Sequence, residues 1–127
     1  MKKMLLLLAM TLGLCIGVRA QSPDRLDVPA FKTEVDKGKA QLIDVRTPEE
    51  FAKGHLANAR NIDWLDDRFL AEAGKLDRTA PVLLYCAVGG RSEEALLALQ
   101  KAGFKNVHDL KGGINAWKAQ GMPVTKQ

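Results

Sequence analysis

One stretch of the sequence decides the fold: Val82-Leu83-Leu84-Tyr85-Cys86-Ala87-Val88-Gly89-Gly90-Arg91-Ser92. The apolar run before Cys86 is typical of a parallel strand that is covered on both faces. The glycine pair indicates a tight loop, and Ser92 is expected to cap the helix that follows. Ligands bind open α/β sheets at the carboxyl ends of the strands, so this loop is where we expect a site.

The same alternation of short apolar runs and helical patterns continues on both sides of this stretch. Strands are expected at residues 41–46, 61–62, 81–85 and 106–109. Helices are expected at residues 30–37, 47–51, 69–73, 92–102 and from 112 through 117. Strands that alternate with helices predict an α/β fold. We expect a mostly parallel central sheet of about five strands, flanked by helices on both faces.

The clearest helix start follows the strand at 41–46. Thr47 is expected to be the N-cap, with Pro48 at the first helical position. Glu50 stands three residues after Thr47, the spacing of a capping box. The sequence therefore predicts a helix that begins directly after the strand at 41–46.

The first 20 residues have the pattern of a secretory signal. Lys2 and Lys3 precede an apolar run, and Val18-Arg19-Ala20 has the small or branched residues of a cleavage site. The run is shorter than the ~20 apolar residues that span a bilayer, so no stable membrane anchor is expected after cleavage. We expect cleavage after Ala20, a periplasmic location, a flexible lead-in at 21–29 and one domain at 30–124.

The formal charge of +4 belongs mostly to this signal segment. The chain has 19 basic and 15 acidic side chains, and loss of Lys2, Lys3 and Arg19 leaves 16 against 15, a charge of +1. Aromatic residues make up only 6% of the chain. Nucleic-acid binding therefore loses its support. Cys15 also lies in the signal, so Cys86 would be the single cysteine of the processed chain, with no intramolecular disulfide.

Cys86 has two interpretations. Free cysteine is among the most buried residue types, so a core position is the simpler one. Against it, Gly89 and Gly90 allow backbone N–H groups to turn inward, and a helix N-terminus carries roughly half a unit of positive charge. Arg91 adds a full charge nearby, and such surroundings stabilise a thiolate. The pattern therefore favours Cys86 as a nucleophile.

Four segments in order resemble the single-domain rhodanese-like sulfurtransferases. They are Leu42–Arg46 with Glu49–Phe51, Gly54–Leu56 leading to Ala59–Ile62, Cys86–Ser92, and Leu110–Ile114 with Ala116–Trp117. The resemblance runs across most of the chain after the signal, and the spacing of the four segments makes it specific. With the signal, it is a resemblance to a secreted or periplasmic member.

The resemblance implies a sulfur-transfer reaction. Cys86 would be catalytic, taking a sulfane sulfur from a small anionic donor such as thiosulfate and passing it to cyanide or a thiol, with a protein thiol as a further partner. The implied substrate-binding residues are Ala87, Val88, Gly89, Gly90, Arg91 and Ser92. Neither a metal nor an organic cofactor is implied, and His55 and His108 lack a ligand cluster.

Two alternative functions remain open. The first is a persulfide carrier or thiol-redox partner, in which turnover of small molecules is incidental. The second is a phosphatase or arsenate reductase of the same fold. The loop from Cys86 to Arg91 has six residues, the length associated with sulfur transfer, and the phosphatase-type loop is one residue longer.

Three residues outside the loop are candidate supports. Asp44 is expected to hold loop backbone, Arg46 to pair with Glu50, and Trp64 to border the site end of the sheet. The chain also departs from the family at two points. Asn58 stands in a turn where it is expected to take a left-handed conformation, and Val88 makes the mouth of the loop more apolar.

Overall fold

A computed structural model describes residues 24–127; the expected signal segment, with Cys15, lies outside the described residues. The strands are β1 (Arg25–Leu26), β2 (Gln41–Asp44), β3 (Arg60–Asn61), β4 (Val82–Tyr85) and β5 (Val107–Leu110). The helices are α1 (Val28–Asp36), α2 (Pro48–Ala52), α3 (Phe69–Ala73), α4 (Gly90–Lys101) and α5 (Gly113–Ala119). The five strands form one parallel sheet in the order β1-β5-β4-β2-β3. The predicted α/β fold is confirmed.

Helices cover both faces of this sheet. One face packs against α1 and α5, through side chains that include Phe31 and Trp117. The other face packs against α3 and α4, through side chains that include Phe69 and Leu99. Strand β4 lies between β2 and β5, and all four of its residues are fully buried. The apolar run before Cys86 is thus a central strand because both of its faces meet helices.

The register of the strands brings the site elements to one edge. Asp44 at the end of β2 pairs with Tyr85 at the end of β4. Because the strands are parallel, the residues that follow, Arg46 and Cys86 among them, emerge at the same edge of the sheet. Within residues 24–127, no helix is long and apolar enough to cross a membrane.

The expected flexible lead-in at 21–29 is wrong over residues 25–29. Arg25 and Leu26 pair with Asp109 and Leu110 as strand β1. Asp27 then caps α1 by accepting a hydrogen bond from the N–H of Ala30 at 2.9 Å. The pairing joins residues 84 positions apart, and two residues form too short a strand to show a periodic pattern.

The predicted start of α4 is also wrong. The helix begins at Gly90 with Gly89 as its N-cap, so Ser92 stands in the first turn. At α2 the prediction is confirmed: Thr47 and Glu50 form a complete capping box. Asn58 adopts the expected left-handed conformation, with φ 68°.

Candidate active site

Cys86 lies where the chain leaves β4. The backbone N–H of Gly89 donates a hydrogen bond to Cys86 Sγ at 3.0 Å. The thiol faces the Ser92 hydroxyl, with Sγ 3.5 Å from Oγ. Cys86 is 1% exposed and belongs to the core cluster under α3 and α4. The structure therefore combines the burial of a core cysteine with a backbone N–H that points at its sulfur.

Gly89 gives the loop its shape. Its φ of 109° lies in the left-handed region, which a residue with a Cβ rarely adopts. Its carbonyl accepts hydrogen bonds from Arg25 Nη2 at 2.9 Å and from the N–H of Glu93 at 3.1 Å. The Ser92 hydroxyl contacts the same carbonyl at 3.3 Å. The N–H of Gly89 is thus bonded to the sulfur, and its carbonyl is bonded to the surrounding donors.

The first residues of α5 hold the other side of the loop. The N–H of Ile114 donates to the carbonyl of Cys86 at 2.9 Å, and the N–H of Asn115 donates to that of Ala87 at 3.1 Å. Gly113 makes this approach possible, because a Cβ there would lie 2.5 Å from the carbonyl oxygens of Cys86 and Ala87. Gly113, the first residue of α5, therefore allows the helix to support the Cys86 loop.

A buried carboxylate stands behind Ser92. Asp109 is fully buried on β5, and its Oδ2 accepts a hydrogen bond from the Ser92 hydroxyl at 2.7 Å. Arg25 donates to both oxygens of Asp109, from Nε at 2.9 Å and from Nη2 at 3.0 Å. Arg25 Nη1 also lies 2.6 Å from Glu93. The hydrogen bonds to Asp109 raise the pKa of Arg25, so its guanidinium stays charged.

Arg91 makes an ion pair with Glu50. Its two terminal nitrogens donate to the two carboxylate oxygens of Glu50 at 2.8 and 3.0 Å. These hydrogen bonds raise the pKa of Arg91 and lower that of Glu50 to about 2. The carboxylate of Glu50 in α2 therefore partly neutralises the charge of Arg91. The predicted pairing of Arg46 with Glu50 is wrong.

Arg46 pairs with Asp44 instead. Its Nη2 donates to Asp44 Oδ2 at 2.7 Å and to the carbonyl of Gly54 at 2.6 Å. Asp44 is fully buried, and its Oδ1 accepts from the backbone N–H of Arg46 at 2.9 Å. Asp44 therefore accepts a hydrogen bond from the backbone just after β2. The geometry also explains the pairing, because Asp44 and Arg46 leave β2 on the same side of the chain.

Trp64 and Val88 are two further residues that the sequence analysis assigned to the site. The indole N–H of Trp64 donates to Glu94 on α4 at 2.9 Å, and its ring meets Phe69 edge-on. Trp64 therefore joins the segment after β3 to α4. Val88 is 66% exposed, so an apolar side chain projects from the loop into solvent.

A separate groove of about 400 Å³ lies along the β3 edge of the sheet. Pro48, Asn61 and Arg68 border it, and the residues of the Cys86 loop are not among those that line it. Within the described part of the chain, no group of three or more His, Cys, Asp or Glu side chains is placed to hold a metal ion.

Arg25 and Asp109 are site residues that the sequence reasoning missed. Arg25 falls in the segment expected to be flexible, and only the β1–β5 pairing brings it to the loop. Asp109 carried a weak signal, since it is an acidic residue inside an otherwise buried strand. An acid in such a position has to find buried partners, and here they are Ser92 and Arg25.

Comparison with known proteins identifies similar sequences. A family model described as Rhodanese-like domain matches residues 27–120. The chain is 35% identical over 91 residues to thiosulfate sulfurtransferase GlpE of Pseudomonas aeruginosa strain PAO1, in a match that covers 72% of this chain and 81% of that protein. It is 42% identical over 79 residues to the Bacillus subtilis protein YqhL, in a match that covers 62% of this chain and 61% of that protein.

A solved structure has the same fold. The rhodanese-related protein of Thermoplasma volcanium superposes with a TM-score of 0.74 at 28% sequence identity. The alignment covers 83% of this chain and the whole of that one. Arg25 lies outside the range that the family model matches, so the family pattern alone does not point to it.

Proposed function

This chain belongs to the rhodanese-like family, and we propose that it is a sulfurtransferase that carries sulfane sulfur as a persulfide on Cys86. The proposed donor is thiosulfate or a similar small anion, and the acceptor is cyanide or a thiol. The secretory pattern of residues 1–20 supports a periplasmic location. Two relatives named thiosulfate sulfurtransferase, from Pseudomonas aeruginosa and Arabidopsis thaliana, support the choice of donor.

The first step is attack by the Cys86 thiolate on the outer sulfur of thiosulfate. A sulfur–sulfur bond forms to Cys86, and the sulfur–sulfur bond of thiosulfate breaks. Sulfite leaves with the bonding electron pair, so a thiolate and a dianion become a persulfide anion and a dianion. The hydrogen bond from the N–H of Gly89 stabilises the negative sulfur.

The second step returns the cysteine to its starting state. Cyanide attacks the outer sulfur of the persulfide, a carbon–sulfur bond forms, and the Cys86 thiolate leaves as thiocyanate is released. A thiolate acceptor attacks the same atom and departs as a new persulfide. Each half-reaction releases its product before the next substrate binds, as in other covalent two-step mechanisms.

One observation carries the proposal: the N–H of Gly89 points at Cys86 Sγ from 3.0 Å. A buried apolar cysteine needs no such donor, whereas a sulfur that carries negative charge gains from one. The donor is fixed in place because Gly89 also has its carbonyl held by Arg25 and Glu93.

A second candidate is a persulfide carrier that delivers sulfur to a protein thiol. The observation that favours it is the exposure of Val88 beside the nucleophile. In this candidate, the exposed Val88 side chain is part of the surface that contacts the acceptor protein. In this case the persulfide would be stable, and turnover with cyanide would be slow.

The test is the intact mass of the chain that begins at Gln21, before and after incubation with thiosulfate. Cys86 is the only cysteine from Gln21 onward, so a gain of one sulfur atom assigns the persulfide to it. We expect the wild type to gain this sulfur and to lose it when cyanide is added. We expect no gain in the variant Cys86→Ser, provided that its circular dichroism spectrum shows a normal fold. A sulfur gain without cyanide turnover favours the carrier, and full turnover by Cys86→Ser overturns the mechanism.

A further inference from the structure

The sulfur of Cys86 has two hydrogen-bonding neighbours, and both are held by the same ion pair. The N–H of Gly89 donates to the sulfur, and the hydroxyl oxygen of Ser92 accepts from the thiol. Arg25 Nη2 holds the carbonyl of Gly89 at 2.9 Å. Asp109 Oδ2 holds the hydroxyl of Ser92 at 2.7 Å. The ion pair of Arg25 with Asp109 thus connects β1 and β5 to both sides of the sulfur.

The geometry of the pair makes it rigid. Arg25 donates to both oxygens of Asp109, and the planar guanidinium fixes the direction of its remaining N–H groups. Asp109 is fully buried, so solvent does not weaken its hydrogen bonds. One nitrogen, Nη2, bridges Asp109 and Gly89, which couples the carboxylate to the loop backbone.

We propose that Arg25 and Asp109 are positioning residues for sulfur transfer, which set the Gly89 N–H and the Ser92 hydroxyl at Cys86. The inference rests on the proposed function, because it assumes that Cys86 is the nucleophile. It extends the site to a residue outside the range of the family model. In this proposal the short strand β1 forms one edge of the sheet and also places Arg25 beside the Cys86 loop.

The pair acts through the loop and not on the donor. The three donating nitrogens of Arg25 already face Asp109, Gly89 and Glu93. Loss of the guanidinium should therefore lower kcat and leave KM for thiosulfate nearly unchanged. A purely structural role would lower the stability and reduce the amount of active protein, without slowing the reaction of the folded fraction.

The experiment compares Arg25→Met with Arg25→Lys and with a control, Arg68→Met. Arg68 is an exposed arginine paired with Asp66, and it borders the groove that no residue of the Cys86 loop lines. We measure kcat and KM for thiosulfate-to-cyanide transfer, the rate at which iodoacetamide alkylates Cys86, and thermal unfolding. For Arg25→Met we expect kcat and the alkylation rate to fall about tenfold or more, since small misplacements of reacting groups are costly. Arg25→Lys should be intermediate, and Arg68→Met unchanged.

The proposal is overturned if folded Arg25→Met keeps the kcat and the alkylation rate of the wild type. If Arg25→Met does not fold, Arg25→Lys is the test, because an ammonium group cannot bond Asp109 and Gly89 in the geometry of a guanidinium. An unchanged kcat in Arg25→Lys then overturns the proposal. If the wild type gains no sulfur from thiosulfate, the proposed function fails. The alkylation rates still test the positioning of Cys86 in that case.

Discussion

Arg91 in the Cys86 loop and Glu50 in α2 are joined by two N–H···O bonds of 2.8 and 3.0 Å. The pair links α2, which follows β2, to the first turn of α4, which follows the neighbouring strand β4. Glu50 also accepts from the backbone N–H of Thr47 within the capping box, at 3.4 Å. A helix cap and the Cys86 loop therefore depend on the same carboxylate.

Replacement of Glu50 by Gln should change how stability depends on pH. Its hydrogen bonds to Arg91 lower the pKa of Glu50 from 4.5 to about 2. A lowered pKa stabilises the fold above pH 4.5, and this stabilisation is lost as the pH falls towards 2. Because the pair is partly exposed and screened by solvent, we expect an effect of about 1 kcal/mol.

Urea unfolding of the wild type and of Glu50→Gln at pH 7 and at acid pH measures this effect. The difference between the two proteins should be largest at pH 7 and shrink at acid pH. Glu49→Gln is the control, since Glu49 is an exposed acid in the same first turn. Equal pH dependence in the wild type and Glu50→Gln would show that the ion pair does not stabilise the fold.

Gly113→Ala should damage the site more than its backbone conformation alone requires. A left-handed φ costs a non-glycine residue roughly 1–2 kcal/mol. At Gly113 the new Cβ would in addition lie 2.5 Å from the backbone of Cys86 and Ala87. We expect a loss of about 3 kcal/mol or more, together with a fall in sulfur uptake.

Gly38→Ala provides the matched control. Gly38 has φ 69°, against 61° at Gly113, and no other atom lies within 4 Å of the position that its Cβ would take. It should lose about 1 kcal/mol and keep full sulfur uptake. If the two variants unfold at the same urea concentration, the close approach of α5 to the Cys86 loop does not matter for stability.

The sequence predicted the parts of this structure that local patterns encode. The burial of β4, the capping box at Thr47 and the left-handed turn at Asn58 all follow from neighbouring residues. The loop that holds Cys86 was predicted in the same way, from a strand and a pair of glycines. These features are set by contacts within a few positions of the chain, which a sequence pattern can express.

The missed features depend on pairings between distant segments. Arg25 reaches Asp109 across 84 positions, and Arg91 reaches Glu50 across 41. The expected partner of Glu50 was Arg46, which is only four residues away on the chain. Arg46 pairs with Asp44 instead, because Asp44 is buried and Glu50 is partly exposed. Leaving a buried carboxylate unpaired costs more free energy than leaving a partly exposed one unpaired.

Thr47→Ala should destabilise the chain by about 1 kcal/mol through loss of the N-cap of α2. The Thr47 hydroxyl accepts from the N–H of Glu50 at 3.3 Å, so its loss also loosens the carboxylate that holds Arg91. Urea unfolding measures the change. Thr33→Ala is the control, because Thr33 lies inside α1 and bonds only the preceding turn through Pro29, and it should change stability by less than about 0.5 kcal/mol. Equal losses in both variants would contradict a special role for the cap.

Val88→Lys should improve the use of thiosulfate. Three arginines near the loop are each paired with a carboxylate. The pairs are Arg25 with Asp109, Arg46 with Asp44, and Arg91 with Glu50. Val88 is exposed two residues after Cys86, so a lysine there would place a cation near the path of the proposed dianionic donor. Attraction of about 1 kcal/mol in water corresponds to a KM lower by roughly fivefold at low salt.

The control is Leu97→Lys, which adds the same charge at an exposed apolar position on α4. Because attraction between exposed charges is screened over ~10 Å at about 0.1 M salt, the gain from Val88→Lys should shrink as salt is added. Leu97 stands roughly 10 Å along α4 from its start at Gly90, so its charge is screened and Leu97→Lys should leave KM unchanged. An equal fall in KM for both variants would indicate an effect of net charge. No fall in either would mean that thiosulfate does not approach Cys86 past Val88.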